Sequence, residues 1–308
     1  MAIPVIRGDK SESERFPGAV RTYCIEAMVQ DRKAIQAGTS HFLGQNFAKA
    51  SGIKFLSRNN TEELAWTTSW GVSTRLIGTL LMAHGDDDGA VMPPRIAATQ
   101  VVIIPITPKP ESRDAVLAKA EEIAAALRAS VYAGEAVRVE IDSRDLGGGV
   151  KSWEWIKKGV PLRIEIGPRD LESGNAAVAR RDKGPKEKEF LPAESLPVRV
   201  PALLSEIQQS LLGRALAFRK EHTKKIDTKE EFYAYFTPQN SNKPEIHGGF
   251  ALTHWNGSTQ TEARIKEDLK VTIRCIPQID GDGFTEEPGI CPFTGEPSQR
   301  RVLFGKAY

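Results

Sequence analysis

The amino-acid sequence predicts an α/β (α+β) protein whose strands and helices fall into three consecutive parts. Residues 20–29 alternate in character and include β-branched and aromatic side chains, which is typical of a half-buried strand. The apolar run "VVIIPI" (Val101–Ile106) is typical of a strand buried on both faces. Residues 112–130, and the segment that contains Leu204 and Ile207, place apolar residues three and four apart, which predicts amphipathic helices.

Residues 1–98 form the first predicted part. Strand-like sequence continues to Trp70 and helical spacing begins at Thr74, so a glycine-containing turn joins a strand to a helix that Gly85 can end. Such a turn leaves backbone and polar groups open to a ligand, which is a common layout of active sites. The proline-marked segment 91–100 predicts the linker that follows.

Residues 99–198 form the second predicted part, a small mixed α/β domain with the order β-α-β-α-β-β. Its later strands are predicted in "VRVEI", "VPLRIEIGPRD" and "AAVARRD", and a glycine loop leads into the short helix of "KSWEWIKKG". The polar, proline-flanked segment 182–197 predicts an exposed loop. Residues 199–308 form the third part, in which a long helix precedes a small unit of mixed helix and strand.

Composition narrows the class of protein. The net charge is +2, so no overall positive charge indicates nucleic-acid binding, although local basic patches stay open. No apolar run approaches the ~20 residues that cross a bilayer, and the N-terminal segment has no secretory signal pattern, so no membrane partner is predicted. Three scattered cysteines do not make a disulfide framework, which favours a cytoplasmic location.

Arg75, in "GVSTRLIG", lies at the predicted strand-to-helix turn. Its planar guanidinium matches phosphate oxygens and could hold a phosphate group. The alternative is a salt bridge to an acidic neighbour such as Glu26. Position along the chain leaves both interpretations open.

The stretch "IQAGTSHFLGQNF" (Ile35–Phe47) is dense in small polar groups. We expect Gln36, Thr39 and His41 to share one face of an extended chain. Three polar groups on one face can converge on a small ligand. They can equally form a polar network inside a sheet, and the residues alone leave this open.

Basic residues gather in the second part near Trp153 and Trp155, a combination that suits single-stranded RNA. An ordinary solvated face is the alternative. The basic residues concerned are Arg163, Arg169, Arg180, Arg181, Lys183 and Lys186.

Two groups of potential metal ligands occur in the sequence. His84 precedes three aspartates, Asp86 to Asp88, in a segment that is typical of a solvated helix end. Cys275, Cys291, His247 and His254 match no common zinc spacing. We therefore predict no metal site.

Several long segments together resemble prolyl-tRNA synthetase of the archaeal and eukaryotic type. They are "AIQAGTSHFLGQNFAKA", "TTSWGVSTRLIG", "MAHGDDDGAVMPPRIA", "QVVIIPI", "KGVPLRIEIGPRD" and the final "FGKAY". The resemblance runs in order along nearly the whole chain. It implies that residues 1–98 are the second half of a class II antiparallel-sheet catalytic domain, 99–198 an anticodon-binding domain, and 199–308 the family's C-terminal domain.

The resemblance also implies roles for residues that bind ATP. Gln36 and Thr39 would contact the adenosine moiety. Arg75 would be the catalytic residue that holds the ATP phosphates, since "GVSTRLIG" resembles the third class II motif. ATP, usually with Mg²⁺, is the implied cofactor.

Further roles concern proline and tRNA. His41 would border the proline pocket, and Trp70 and Gly71 would form its wall. In "RIEIGPRD", Glu165 and Arg169 would read guanines of the anticodon. The implied partners are proline and the proline tRNA.

The sequence departs from the family in two respects. The first and second class II motifs, a substrate-gripping loop and the dimer-forming region of these homodimers are not found upstream of "AIPV", so unpaired strand edges and exposed core are expected. Many members bind zinc through four cysteines, whereas this chain has Cys291 with Asn256, Thr261 and Thr294 at those places, so no zinc is expected.

The interpretation is a proline–tRNA ligase, present as a C-terminal portion that is inactive alone. The alternatives are a non-catalytic tRNA-binding module and a truncated gene product without an independent role.

Overall fold

The computed structural model describes residues 1–107, 110–184, 187–240, 248–279 and 283–308. Two residues named above, Lys186 and His247, lie outside these ranges. The chain divides into two compact units. Unit 1 comprises Met1–Ile3 with His84–Ala215, and unit 2 comprises Pro4–Ala83 with Leu216–Tyr308.

The first 84 residues form six strands and two helices. These are β1 (Val5–Asp9), β2 (Arg21–Met28), β3 (Ala34–Gly44), α1 (Asn46–Ser51), β4 (Lys54–Leu56), β5 (Glu62–Leu64), β6 (Thr67–Gly71) and α2 (Arg75–His84). The strand predicted over 20–29 and the helix predicted from Thr74 are confirmed.

The middle of the chain alternates strands and helices. The elements are β7 (Val101–Pro105), α3 (Arg113–Arg128), β8 (Val131–Tyr132), β9 (Glu135–Ala136), β10 (Val139–Ile141), α4 (Gly148–Lys158), β11 (Leu162–Ile166), α5 (Pro168–Ser173), β12 (Asn175–Arg180), β13 (Glu189–Pro192) and α6 (Leu196–Glu221).

The last part of the chain returns to short strands. Its elements are β14 (Thr223–Lys225), α7 (Lys229–Phe236), β15 (Phe250–His254), α8 (Thr259–Leu269), β16 (Val271–Pro277), β17 (Gly289–Ile290), β18 (Pro297–Ser298) and β19 (Arg301–Lys306). No helix within the described ranges is long and apolar enough to cross a membrane.

Unit 2 is built on one eight-stranded sheet with the order β14-β15-β19-β16-β1-β2-β3-β6. Strand β1 pairs antiparallel with β2 on one side and with β16 on the other. The first and third parts predicted from the sequence therefore share a sheet, since strands from both lie side by side in it. Unpaired strand edges were expected in this part of the chain: β6 is such an edge strand, whereas β1 is paired on both sides because β16 covers it.

A buried charge network joins β1, β2 and β16 at this junction. Both carboxylate oxygens of Glu26 are used: Lys10 Nζ donates to Oε1 at 2.8 Å, and Arg274 Nε and Nη2 donate to Oε2 at 3.0 and 2.9 Å. Lys10 also donates to the Arg274 backbone oxygen at 2.7 Å. The Glu26 side chain is fully buried. The three charges therefore stabilise a strand pairing that no local signal in the sequence indicates.

Unit 1 contains a five-stranded sheet with the order β10-β7-β11-β12-β13. Strand β7 pairs parallel with β10 and β11, and Val101 to Ile104 are completely buried, which confirms the strand predicted from "VVIIPI". Helices α3 and α6 pack their apolar residues on one face. Trp155 of α4 packs with Val102 and Ile104 on the other.

The segment predicted as a loop at 182–197 is partly regular. It contains the edge strand β13, which pairs antiparallel with β12, and the first residues of α6. The sequence signal was weak because an edge strand with one open face keeps polar side chains. Strand β13 borders the second cavity described below, through Phe190.

The basic residues of unit 1 do not form one solvated face. Arg163 is buried, and Trp155 is buried with its Nε1 donating to Asp142 at 2.8 Å. Arg180 and Arg181 pair with acids, the latter with Asp86. Within the described residues, the predicted basic surface is thus mostly an internal network, and Arg169 is an exposed member of the set.

Candidate functional site

A cavity of about 310 Å³ in unit 2 is lined by all six residues predicted for the catalytic part. Strand β3, strand β6 and the start of α2 supply its walls. The six residues are Gln36, Thr39, His41, Trp70, Gly71 and Arg75. Ser69 and Ser73 also line it and were not singled out from the sequence.

A β-bulge explains how three polar residues of β3 meet on one face. Gln36 is three residues before Thr39, so in a regular strand it would point to the opposite face. The register with β2 shifts at this point, because Gln36 lies opposite Glu26 whereas Gly38 lies opposite Ile25. One extra residue, Ala37, therefore brings Gln36 to the face of Thr39 and His41.

The register between β3 and β6 determines which side chains of β6 face the cavity. Thr39 lies opposite Gly71, and His41 lies opposite Ser69, so these four share a face. Trp70 lies opposite Ser40, which places its side chain on the other face of the sheet. Trp70 is 75% exposed. Trp70 borders the cavity from β6, an edge strand of the sheet.

His41 is held in place by two neighbours. Its Nδ1 lies 3.0 Å from Thr22 Oγ1, and its ring lies 4.6 Å from that of Phe16. Burial lowers the pKa of His41 below its ordinary value. The imidazole is therefore neutral at pH 7 and can act as a hydrogen-bonding wall rather than a charge.

Arg75 supplies the positive charge of this cavity. Its side chain is exposed and makes no hydrogen bond or ion pair with the described residues. The salt bridge to Glu26 that the sequence left open is excluded, because Lys10 and Arg274 occupy both oxygens of that carboxylate. The guanidinium is free to pair with an anion at the N-terminal end of α2.

A second cavity, of about 780 Å³, lies in unit 1 and contains both predicted anticodon residues. Glu165 of β11 and Arg169 of α5 line it together with Lys188 and Phe190. Glu165 accepts hydrogen bonds from Lys188 Nζ at 2.5 Å and from Ser152 Oγ at 2.9 Å. A carboxylate and a guanidinium in one open cavity suit the donor and acceptor edges of a base.

Arg169 is available to a ligand because its side chain is exposed and unpaired among the described residues. Helix α5 is anchored beneath it, since Asp170 Oδ2 accepts from the Gly167 backbone N–H at 2.8 Å. The anchored helix fixes the backbone of Arg169 while its guanidinium stays free.

The positions implied for zinc lie on the turn after β17 and near the start of α8. Cys291 is buried, and the Asn256 amide pairs with Glu296. One thiol, one amide and the hydroxyls of Thr261 and Thr294 do not fit zinc, which prefers thiolates, imidazoles and carboxylates. Across the described ranges, no group of three or more histidine, cysteine or acidic residues is placed to hold a metal ion.

Two family models match the chain. The model described as "Anticodon binding domain" matches residues 100–202, and the model described as "Prolyl-tRNA synthetase, C-terminal" matches residues 242–308. The chain therefore carries an anticodon-binding domain, which lies within unit 1, and further along a prolyl-tRNA synthetase C-terminal domain.

Three similar curated proteins are named as proline–tRNA ligases. "Proline--tRNA ligase 2" of Anaeromyxobacter dehalogenans is 60% identical over the whole chain, and proteins named "Proline--tRNA ligase" from Akkermansia muciniphila and Protochlamydia amoebophila are 52% and 50% identical. The chain spans only about 60% of the length of these relatives. All three come from bacteria, so the archaeal and eukaryotic subtype stays a prediction.

Proposed function

We propose that this chain is the C-terminal portion of a class II proline–tRNA ligase of the archaeal and eukaryotic type. The complete enzyme would join proline to ATP, forming prolyl-adenylate and pyrophosphate, and then transfer proline to the 3′ end of its tRNA. The observation that carries the proposal is the convergence of Gln36, Thr39, His41 and Arg75 on one cavity. The high identity to the named relatives supports it.

Within the catalytic cavity, each side chain has a task that follows from its chemistry. The Gln36 amide and the Thr39 hydroxyl would hydrogen-bond the adenosine moiety. Arg75 would neutralise phosphate charge as it moves from the α-phosphate to the leaving pyrophosphate. Neutral His41 would border proline without repelling its ammonium group. Among the described residues that line the cavity, the titratable ones are His41 and Arg75, so this half of the site would work by positioning rather than by acid–base catalysis.

ATP would bring Mg²⁺ with it, because the cavity lining in the described part of the chain offers no carboxylate to hold the ion. Mg²⁺ would supply additional charge neutralisation at the phosphates. No zinc is proposed, given the donor set at Cys291. The family's homodimer and a cytoplasmic location are part of the same proposal.

The chain alone would not catalyse the reaction. Strand β6 is an open edge, and Trp70 and Val72 beside the cavity are 75% and 69% exposed. A cavity of about 310 Å³ with one such open side does not enclose both ATP and proline. Residues that the relatives have in addition would complete it.

The anticodon part supports a second candidate, a tRNA-binding module without catalysis. The cavity of Glu165 and Arg169 lies wholly within unit 1 and depends on no residue of unit 2. Binding of the anticodon is therefore compatible with an incomplete catalytic half.

The test is filter binding of the 308-residue chain to a tRNA with a UGG anticodon. Arg169→Ala should weaken binding by about 10-fold, the size of one good contact between arginine and guanine. Arg75→Ala is the matched control and should change it less than twofold. Equal binding to tRNAs of unrelated anticodons, or an unaffected Arg169→Ala variant, would contradict the assignment.

A further inference from the structure

Three residues form a straight row across the sheet of unit 1. Glu165 on β11 lies opposite Ala177 on β12, and Ala177 lies opposite Phe190 on β13. Directly opposed residues of antiparallel strands project from the same face. All three line the second cavity.

Phe190 is an unusual residue for an open edge strand. Its side chain is 67% exposed, and among the described residues no aromatic ring or cation packs against it. Lys188, two residues earlier, instead pairs with Glu165. The Phe190 ring therefore presents a free apolar surface at the border of a cavity that otherwise carries charges.

The small side chain of Ala177 determines the space between the two ends of the row. Neighbouring strands lie about 4.8 Å apart, so the backbones of Glu165 and Phe190 are separated by roughly 10 Å. The methyl group between them leaves a gap that accommodates a planar ring. A base stacked on Phe190 above Ala177 would lie next to the Glu165 carboxylate, whose oxygens accept hydrogen bonds from N–H groups at the rim of the base.

We propose that Phe190 is a stacking platform for one unpaired nucleobase of RNA, with Ala177 providing the space and Glu165 accepting hydrogen bonds from the base edge. This inference rests on the proposed anticodon function. A base with N–H donors on its edge, such as guanine, fits the carboxylate. The Lys188 ammonium would leave Glu165 for an RNA phosphate when the base enters.

The experiment measures the affinity of the full chain for a fluorescent RNA hairpin that contains the UGG anticodon loop. Phe190→Leu should weaken binding by about 10-fold, within the range that base–aromatic stacking contributes. Phe190→Trp should stay within twofold, because it keeps an aromatic face. Trp153→Leu removes an exposed ring outside this cavity and should also stay within twofold.

Two further measurements separate stacking from other effects. One loop nucleotide at a time is made abasic, and the loss of affinity caused by Phe190→Leu is measured with each hairpin. That loss should vanish when the abasic position is the base that stacks on Phe190, and it should persist when the abasic position is another nucleotide. Ala177→Val should weaken binding to intact RNA because it fills the gap.

The inference is overturned if Phe190→Leu binds within twofold of the unmodified chain, or if its loss persists with every abasic hairpin. In either case the chain itself still binds the loop, so the anticodon function stands. If the unmodified chain does not bind the hairpin, the proposed function fails and this inference fails with it.

Discussion

Replacing Glu26 by glutamine tests the junction that joins the two ends of the chain in one sheet. The carboxylate accepts three hydrogen bonds from Lys10 and Arg274, whose side chains are only 3% and 8% exposed. Glutamine keeps the shape but leaves two buried cations without a counter-charge. Removing one partner of a buried charge network destabilises a protein by about 3–5 kcal/mol, and we expect a loss of that size.

Urea unfolding followed by circular dichroism measures this loss, and hydrogen exchange of β1 and β16 assigns it to the sheet of unit 2. Glu62→Gln is the matched control, because Glu62 pairs with Lys54 on the surface, with side chains 69% and 53% exposed. An exposed pair contributes about 0–1 kcal/mol. A Glu26→Gln loss below about 1 kcal/mol, or exchange rates in β1 and β16 that do not change, would refute the reasoning.

Three further predictions follow from single positions. Deleting Ala37 should remove the bulge and place Gln36 two residues before Thr39 in a regular strand, so Gln36 should stay on the cavity face and ATP binding measured by calorimetry in the completed enzyme should be retained; a loss as large as that of Gln36→Ala would contradict the bulge argument. Hydrogen bonds from Arg144 lower the pKa of Asp142 to about 2, from an ordinary value of 3.8. The contribution of the Asp142 carboxylate to stability is therefore present above pH 4 and is lost as the pH falls toward 2. The melting temperatures of Asp142→Asn and of the unmodified chain should converge over that pH range, and a constant difference between them would contradict this prediction. Gly159 and Gly134 both have a positive φ, +77° and +87°, but a Cβ at Gly159 would lie 2.5 Å from the Ala90 backbone oxygen, whereas a Cβ at Gly134 would meet no described atom within 4 Å. Gly159→Ala should therefore lower the free energy of unfolding in urea by at least ~1 kcal/mol more than Gly134→Ala does, and equal losses would contradict the steric argument.

Local elements were predictable because their signals are local. The buried strand β7 and the helices α3 and α6 follow from apolar periodicity, which depends only on near neighbours. The pairing of β1 with β16 was not predictable, because it joins residues about 270 positions apart through a buried charge network. Neither strand carries a sequence signal that selects the other as its partner.

The site residues show the same limit, because local sequence signals do not specify strand register. The resemblance identified residues that do line the two cavities, but sequence spacing alone misjudges Gln36, whose shared face with Thr39 depends on the bulge. Trp70 shows the reverse case, since the register turns it to the other face. Phe190 was missed because its segment is polar and was predicted as a loop. Register and bulges depend on pairing partners, which a single strand does not specify.

The most direct test of the central claim is proline-dependent exchange of pyrophosphate into ATP. The purified 308-residue chain should show none, because its catalytic cavity has one open side. Joined to the additional region of the Anaeromyxobacter dehalogenans relative, it should regain exchange, and Arg75→Ala in that fusion should abolish it. Exchange by the 308-residue chain alone, or a fusion that works equally well with Arg75→Ala, would contradict the account.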